Sequence, residues 1–367
     1  FEALSYTWGD EKADYPILID GNVFHVRRNL YCALREIRPT SSSRILWIDA
    51  ICINQNDVSE RSCQVAQMGN VYSFAERVVV WLGESHSLSD LGFDAMTECF
   101  QFTDIMCKAA MPGTKSNDTV AEGFAKFLAL PNMDNCLFGI TAIYIRPWWR
   151  RMWTAQEIGL AREIEVQYGS RNISWELLHL FATMMMLVPV HNVLRQYTPH
   201  SESGRQAVKL LLARITLRAQ SMEDTRKKLG KGKLNLSLLA RVTMDRYATD
   251  PRDKIYGLLG MMNEGPTLRP DYTLSVSEVY TAATKAMIVQ TKDLTVLSFL
   301  LDGDLDRLPD LPSWVLDFQN LSKDRRLGAL CGFIEDVCER TYSAAPTVGP
   351  EVHFTPEFKD ADRLLRL

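Results

Sequence analysis

Two apolar, β-branched runs constrain the fold more than any other feature: RILWIDAICI at 44–53 and RVVVWLGE at 77–84. Near-continuous apolar runs of this length read as strands covered on both faces, which is the habit of parallel sheets. The first run is interrupted only by Asp49 and suits the centre of such a sheet. Between the runs, NQND turns the chain. Asp57 and Glu60 then have capping-box spacing for a helix on which Arg61, Val65, Met68 and Tyr72 share a face. Upstream, residues 2–8 alternate as a strand and GDEKADYP breaks it. ILIDGNVFHV forms a hairpin around Asp20-Gly21-Asn22, and a helix follows over 28–38. Strand, helix, strand, helix, strand with short joints implies right-handed crossovers and an α/β fold, a parallel sheet flanked by helices.

Beyond 84 the pattern changes. Residues 85–140 carry helical periodicity broken by PGTKSND and PNMDN, and read as a helical insertion. The core resumes with RPWWRRMWTAQEIGLA (146–161), a helix with proline at its first position, and with the strand REIEVQYG. From about 174 the chain is mainly helical, with helices expected over 250–262 and 270–291, while LPSWVLDF at 311–318 fits no single pattern. The expected organisation is an α/β core over 1–170, interrupted by the 85–140 insertion, and a mainly helical C-terminal extension over 171–367.

Composition narrows the function. The 367 residues are 46% hydrophobic and 23% charged, enough to bury a core. A net charge of −4 offers no general attraction to phosphate backbones or anionic lipid, so neither nucleic acid nor a membrane is an expected partner. No run reaches the roughly 18–20 apolar residues needed to span a bilayer. The opening FEALSYTWGD lacks the features of a signal peptide and begins within a strand without methionine, as a trimmed or partial chain would. Eight cysteines without CxxC spacing read as reduced, cytoplasmic thiols, and dispersed histidines complete no zinc site, so no metal is expected. Gly83, Gly257 and Gly260 form no phosphate loop, and the basic RKKLGKGK at 226–233 reads as a solvated loop.

Candidate chemistry concentrates in two places. On the 147–161 helix, Trp148, Trp149, Met152, Trp153 and Leu160 define a broad apolar face with Gln156 inside it. Glu157 lies at the margin of that face, one turn after Trp153, where an aromatic wall would raise its pKa. The alternative is a structural ion pair with Arg150, Arg151 or Arg61. The second place is Asp49–Gln64. Asn54, Gln55 and Arg61 stand beyond the carboxyl end of a strand, where parallel sheets bind ligands. The alternative there is a self-satisfied turn with Arg61 neutralising Asp49. Ser5, Tyr6 and Trp8, at the end of the first strand, would line the same edge.

ALSYTWGD, LWIDAICINQNDVSERSCQVAQMGNVYSFAERVVVWLGE, RPWWRRMWTAQE and DPRDKIYGLLG, in this order, resemble the signature of the fungal heterokaryon-incompatibility (HET) domain. The signature covers about residues 1–165, with a later marker at 250–260. That family is similar to TIR domains, which implies a TIR-like (flavodoxin-like) core. NAD-cleaving TIR domains place a tryptophan four residues before the catalytic glutamate, and Trp153 and Glu157 match that spacing. The resemblance implies a catalytic Glu157 and a nucleotide pocket holding Ser5, Tyr6, Trp8, Asp49 and Asn54, walled by Trp153. NAD would be substrate, consumed at the nicotinamide–ribose bond, with no cofactor or metal required. The implied role is a programmed cell-death effector in fungal allorecognition, working through self-association or an upstream sensor protein. The rival is a non-catalytic signalling adaptor. The early hairpin and the long insertion depart from the TIR pattern.

Overall fold

The molecule is built on a five-stranded sheet, seen in a computed structural model that describes residues 1–85, 87–109, 117–213, 215–232, 234–262, 268–291 and 307–320. Its strands are β1 (Glu2–Ser5), β4 (Leu46–Trp47), β5 (Val78–Trp81), β6 (Ile164–Tyr168) and β7 (Arg171–Ser174), in the order β4-β1-β5-β6-β7. β4, β1, β5 and β6 run parallel, and β7 is antiparallel to β6. The hairpin β2 (Tyr15–Ile19) and β3 (Asn22–Val26) forms its own two-stranded sheet. Its turn has Asp20 and Gly21 at φ 50° and 78°, as the Asp-Gly pair requires, while Asn22 already lies in β3.

The RVVVWLGE run forms the central strand: all four residues of β5 are 0% exposed. The RILWIDAICI run does not. Only Leu46–Trp47 pair with β1, at the edge of the sheet, and the chain then turns into helix α2 (Asp49–Cys52). The amides of Ile51 and Cys52 bond to the Ile48 carbonyl at 3.0 and 2.8 Å, replacing ladder bonds with a helical turn. A half-buried edge pair followed by a half-buried turn leaves the same apolar string as a central strand, which is why the two were indistinguishable in sequence.

Helix α1 (Arg28–Ile37) packs Leu30, Ala33 and Ile37 against Leu4 and Tyr6 at β1 and Val79 and Trp81 of β5. Strand alternation turns Ala3 and Ser5 the other way. Helix α3 (Val58–Phe74) buries Val65, Met68 and Tyr72, and its N-terminus is capped by Asp57, which accepts from the amides of Ser59 and Glu60. The Tyr72 hydroxyl donates to the Leu4 carbonyl at 3.2 Å, which ties α3 to β1.

The segment after β5 is helical, with α4 (Ser89–Ala109), α5 (Asn117–Leu128) and α6 (Met133–Tyr144), the last running past residue 140. After α7 (Thr154–Gly159) and β6–β7 come α8 (Trp175–Met184), α9 (Val188–Gln196), α10 (Glu202–Leu212), α11 (Leu217–Leu229), α12 (Leu236–Val242), α13 (Asp253–Tyr256) and α14 (Val276–Thr291). The helix expected over 250–262 is only α13 and a 3₁₀ turn at Leu259–Met261, whereas α14 fills most of 270–291. Of the 311–318 segment, Val315, Leu316 and Phe318 are buried. Phe1–Leu321 forms one compact unit.

One joint behind α7 is the crossing of α3 with the Leu259–Met261 turn. A Cβ built on Gly260 would stand 2.7 Å from both the Gly69 Cα and the Gln156 Oε1. Overpacking of this kind costs about 1–3 kcal/mol. Gly260→Ala is therefore expected to lower urea-unfolding stability by that amount. Gly230→Ala, whose nearest new contact is 3.5 Å away on a helical backbone, should change it by less than about 1 kcal/mol. Equal effects of the two substitutions would contradict the close approach.

Candidate functional site

The site is assembled around the carboxyl end of β1. Ser5, fully buried, donates its hydroxyl to Oε2 of Glu157 and accepts from Trp148 Nε1 at 2.9 Å. Arg151 lies between two carboxylates. Its Nη2 donates to Asp49 Oδ2 at 3.1 Å, and its Nη1 lies 3.9 Å from Glu157 Oε1 while bonding to the Tyr6 carbonyl. Asp49 also accepts from Trp8 Nε1 at 2.9 Å and from the Ala50 amide at 2.8 Å. A continuous chain of contacts thus runs Trp8, Asp49, Arg151, Glu157, Ser5, Trp148. Beside it, the Tyr6 hydroxyl is buried and finds no hydrogen-bond partner among the described residues.

Glu157 is 1% exposed, and loss of hydration raises its pKa from an ordinary 4.5 to about 7. Arg151 and the Ser5 hydroxyl oppose the rise, while the nearby Asp49 charge adds to it. Burial works against the Arg151 charge, but Glu157 and Asp49 more than compensate and hold it protonated. The Tyr6 hydroxyl is pushed up, first by burial and then by Asp49.

Local structure departs from the single helix expected over 147–161. Pro147–Arg150 form a 3₁₀ turn, Arg151 is extended at φ −64°, ψ 133°, and α7 starts only at Thr154. The break is imposed from far along the chain. Tyr247 bridges Arg151 in parallel register, its amide bonding to the Arg150 carbonyl at 2.5 Å and its carbonyl accepting from the Met152 amide at 2.7 Å. The buried Arg246 guanidinium reaches the Trp149 and Arg151 carbonyls at 3.4 and 3.3 Å and Thr154 Oγ1 at 2.9 Å. Extended geometry at Arg151 is what swings its side chain back toward Asp49.

Of the residues singled out in the sequence, Ser5, Tyr6, Trp8, Asp49 and Glu157 come together around Arg151. Trp153 sits one step away, its indole N–H donating to Asp253 Oδ2 at 3.1 Å. Asn54 is exposed and serves its own turn, its Oδ1 accepting from the Asn56 amide at 3.2 Å and its amide donating to Glu60 Oε1 at 2.9 Å. Arg61 does not meet Asp49; its guanidinium lies 3.9 Å from the centre of the Tyr272 ring. Arg246, Asp253 and Gly260, all missed, supply the supports of α7. DPRDKIYGLLG was the one sequence signal pointing to two of them. No group of three or more His, Cys, Asp or Glu among the described residues has metal-binding geometry, and no single described helix is long and apolar enough to cross a membrane.

Comparison with known proteins adds lineage to this geometry. Residues 1–157 match the family model described as Heterokaryon incompatibility protein (HET). The chain is 29% identical over 402 residues to Heterokaryon incompatibility protein 6, OR allele, of Neurospora crassa, an alignment covering 95% of this chain. The chain spans 58% of that relative's length. No solved structure matches.

A protonated native Glu157 has a thermodynamic signature. Unfolded, the side chain releases its proton at about 4.3; native, it keeps the proton to about 7. Between those values the native state binds more protons, so stability falls as pH rises and levels off above about 7. The partly buried Asp253, raised by burial to about 6, contributes with the same sign. Urea unfolding at pH 5–8 should give Glu157→Gln a shallower decline than the wild type, by on the order of 1–3 kcal/mol across the window. Identical slopes would contradict the buried protonated acid.

Proposed function

From the premise that residues 1–157 carry a heterokaryon-incompatibility domain, we propose that this chain is an incompatibility and cell-death effector that cleaves NAD at its nicotinamide–ribose bond. The observation that carries the reading is a carboxyl on α7, Glu157, buried against the end of β1 with its pKa raised to about 7, beside a serine hydroxyl and an arginine shared with Asp49. Such a group is suited to charge that develops only during reaction, because a dry site screens it little.

The chemistry is glycosidic. The bond between ribose C1′ and the nicotinamide nitrogen breaks, its electron pair leaves with the ring, and neutral nicotinamide departs. An oxocarbenium-like ribose remains, and water adds to C1′ and loses a proton to give ADP-ribose. Ionised Glu157 accepts hydrogen bonds from the ribose hydroxyls and stabilises the positive charge. Ser5 orients the carboxylate, and Trp148 fixes the Ser5 hydroxyl. With Glu157 1% exposed and the Arg151 side chain 19% exposed, the arginine is the member that gives way. Its withdrawal exchanges one cation for the cationic nicotinamide riboside. Self-association is a suitable trigger for that withdrawal.

A second reading has its own support. Both Glu157 oxygens already face partners within the protein, as in a buried structural ion pair, and such a chain would signal as an adaptor. The two readings separate on nicotinamide release from NAD by purified protein, monomeric and deliberately clustered. The catalytic reading expects release from at least one state and a loss of about 10²–10³-fold in Glu157→Gln with the fold retained. No release from wild-type protein in either state, or undiminished release in the variant, would overturn it.

A further inference from the structure

We propose that Asp253, beyond the region matched by the family model, is a positioning residue of the Glu157 site and acts through Trp153; the catalytic part of this inference rests on the function proposed above. Helix α7 is six residues long, too short to hold its own conformation. Its first flanking residue, Trp153, offers no side-chain cap. The direction of Glu157 is therefore set by whatever grips α7 at its edges.

Helices α3 and α11 pack against α7, and Ser5 bonds Glu157 directly, but three further polar holds come from one stretch, 246–260. Arg246 holds the approach to α7 through the Arg151 carbonyl and Thr154 Oγ1. The Gly260 amide donates to Gln156 Oε1 at 2.9 Å, on the residue next to Glu157. Asp253 takes the indole of Trp153, one turn before Glu157. Asp253 is itself fixed by a second donor, Tyr272 Oη at 2.6 Å on its other oxygen. The Tyr272 ring lies under Arg61 at 3.9 Å and Arg252 at 5.2 Å. A chain of contacts thus runs from α3 through Arg61, Tyr272 and Asp253 to Trp153. The pattern that marked W-x-x-x-E as one local unit is anchored by a carboxylate one hundred residues away.

Two donors on two oxygens make the carboxylate hard to replace. Asparagine offers one acceptor and turns an NH₂ toward the other donor. The test uses the full chain with Asp253→Asn, Trp153→Phe and Tyr272→Phe, read by ¹³C titration of the Glu157 carboxyl and by nicotinamide release. Asp253→Asn and Trp153→Phe are each expected to move the Glu157 titration down toward the ordinary carboxylate range, as the loosened helix admits water. They should lower kcat about tenfold with KM changed less than twofold. Tyr272→Phe removes the other bond to Asp253 but keeps the Trp153 contact; it should lower stability and move the Glu157 titration less than Asp253→Asn or Trp153→Phe does. Should Asp253→Asn not fold, Trp153→Phe breaks the same contact from the opposite side. An unmoved Glu157 titration in Trp153→Phe, or an equal shift in Tyr272→Phe, would overturn the assignment. Absence of nicotinamide release from the wild type would overturn the catalytic reading while leaving the titration to decide the positioning role.

Discussion

The Arg151 guanidinium between Asp49 and Glu157 is the interaction on which the site depends. Two carboxyl groups, 6% and 1% exposed, have lost most of their water. One arginine, bonded also to the Tyr6 carbonyl, supplies the compensating charge. Attraction at this burial offsets desolvation only when the geometry is closely held, and losing one partner of such a cluster costs about 3–5 kcal/mol. The geometry is held from all sides: Trp8 and Ala50 on Asp49, Ser5 on Glu157, and Arg246 behind the Arg151 carbonyl. One cation faces two acids, and Glu157 is the more deeply buried of the two, so loss of hydration raises its pKa.

The sheet explains why the cluster sits where it does. Alternation along β1 sends Leu4 into the core shared with α1 and turns Ser5 the other way, against Trp148 and Glu157. Asp49 enters because the chain leaves the sheet edge after only two paired residues and turns into α2. A longer β4 would have continued past this point as a strand. The same short edge strand therefore both ends the sheet and delivers the first acid of the site.

Much of this was legible in the sequence, for physical reasons specific to each segment. β5 was legible because four consecutive buried residues leave little ambiguity, and the 20–22 hairpin because Asp-Gly tolerates positive φ. RILWIDAICI misled because a partly buried edge pair and helical turn, with only Ile48, Asp49 and Ile53 buried, use the same apolar string as a central strand. The 146–161 helix misled because its break comes from a β-bridge to Tyr247, a partner that no local window contains. Glu157 could be picked out by its spacing from Trp153, yet the partner of Trp153 is Asp253. Arg151 appeared only among three candidate ion-pair partners, since one-dimensional spacing could not separate it from Arg150, which stacks on Tyr247, or from Arg61, which stacks on Tyr272.

The central claim is that the space Arg151 now fills beside Glu157 receives the nicotinamide riboside of NAD. A crystal structure of the Glu157→Gln chain with NAD bound measures this most directly. The account predicts the ribose hydroxyls within hydrogen-bond distance of residue 157 and of Ser5, with the Arg151 guanidinium withdrawn from its present contacts. Nucleotide bound at a different surface, with Arg151 still bridging Asp49 and residue 157, would contradict it.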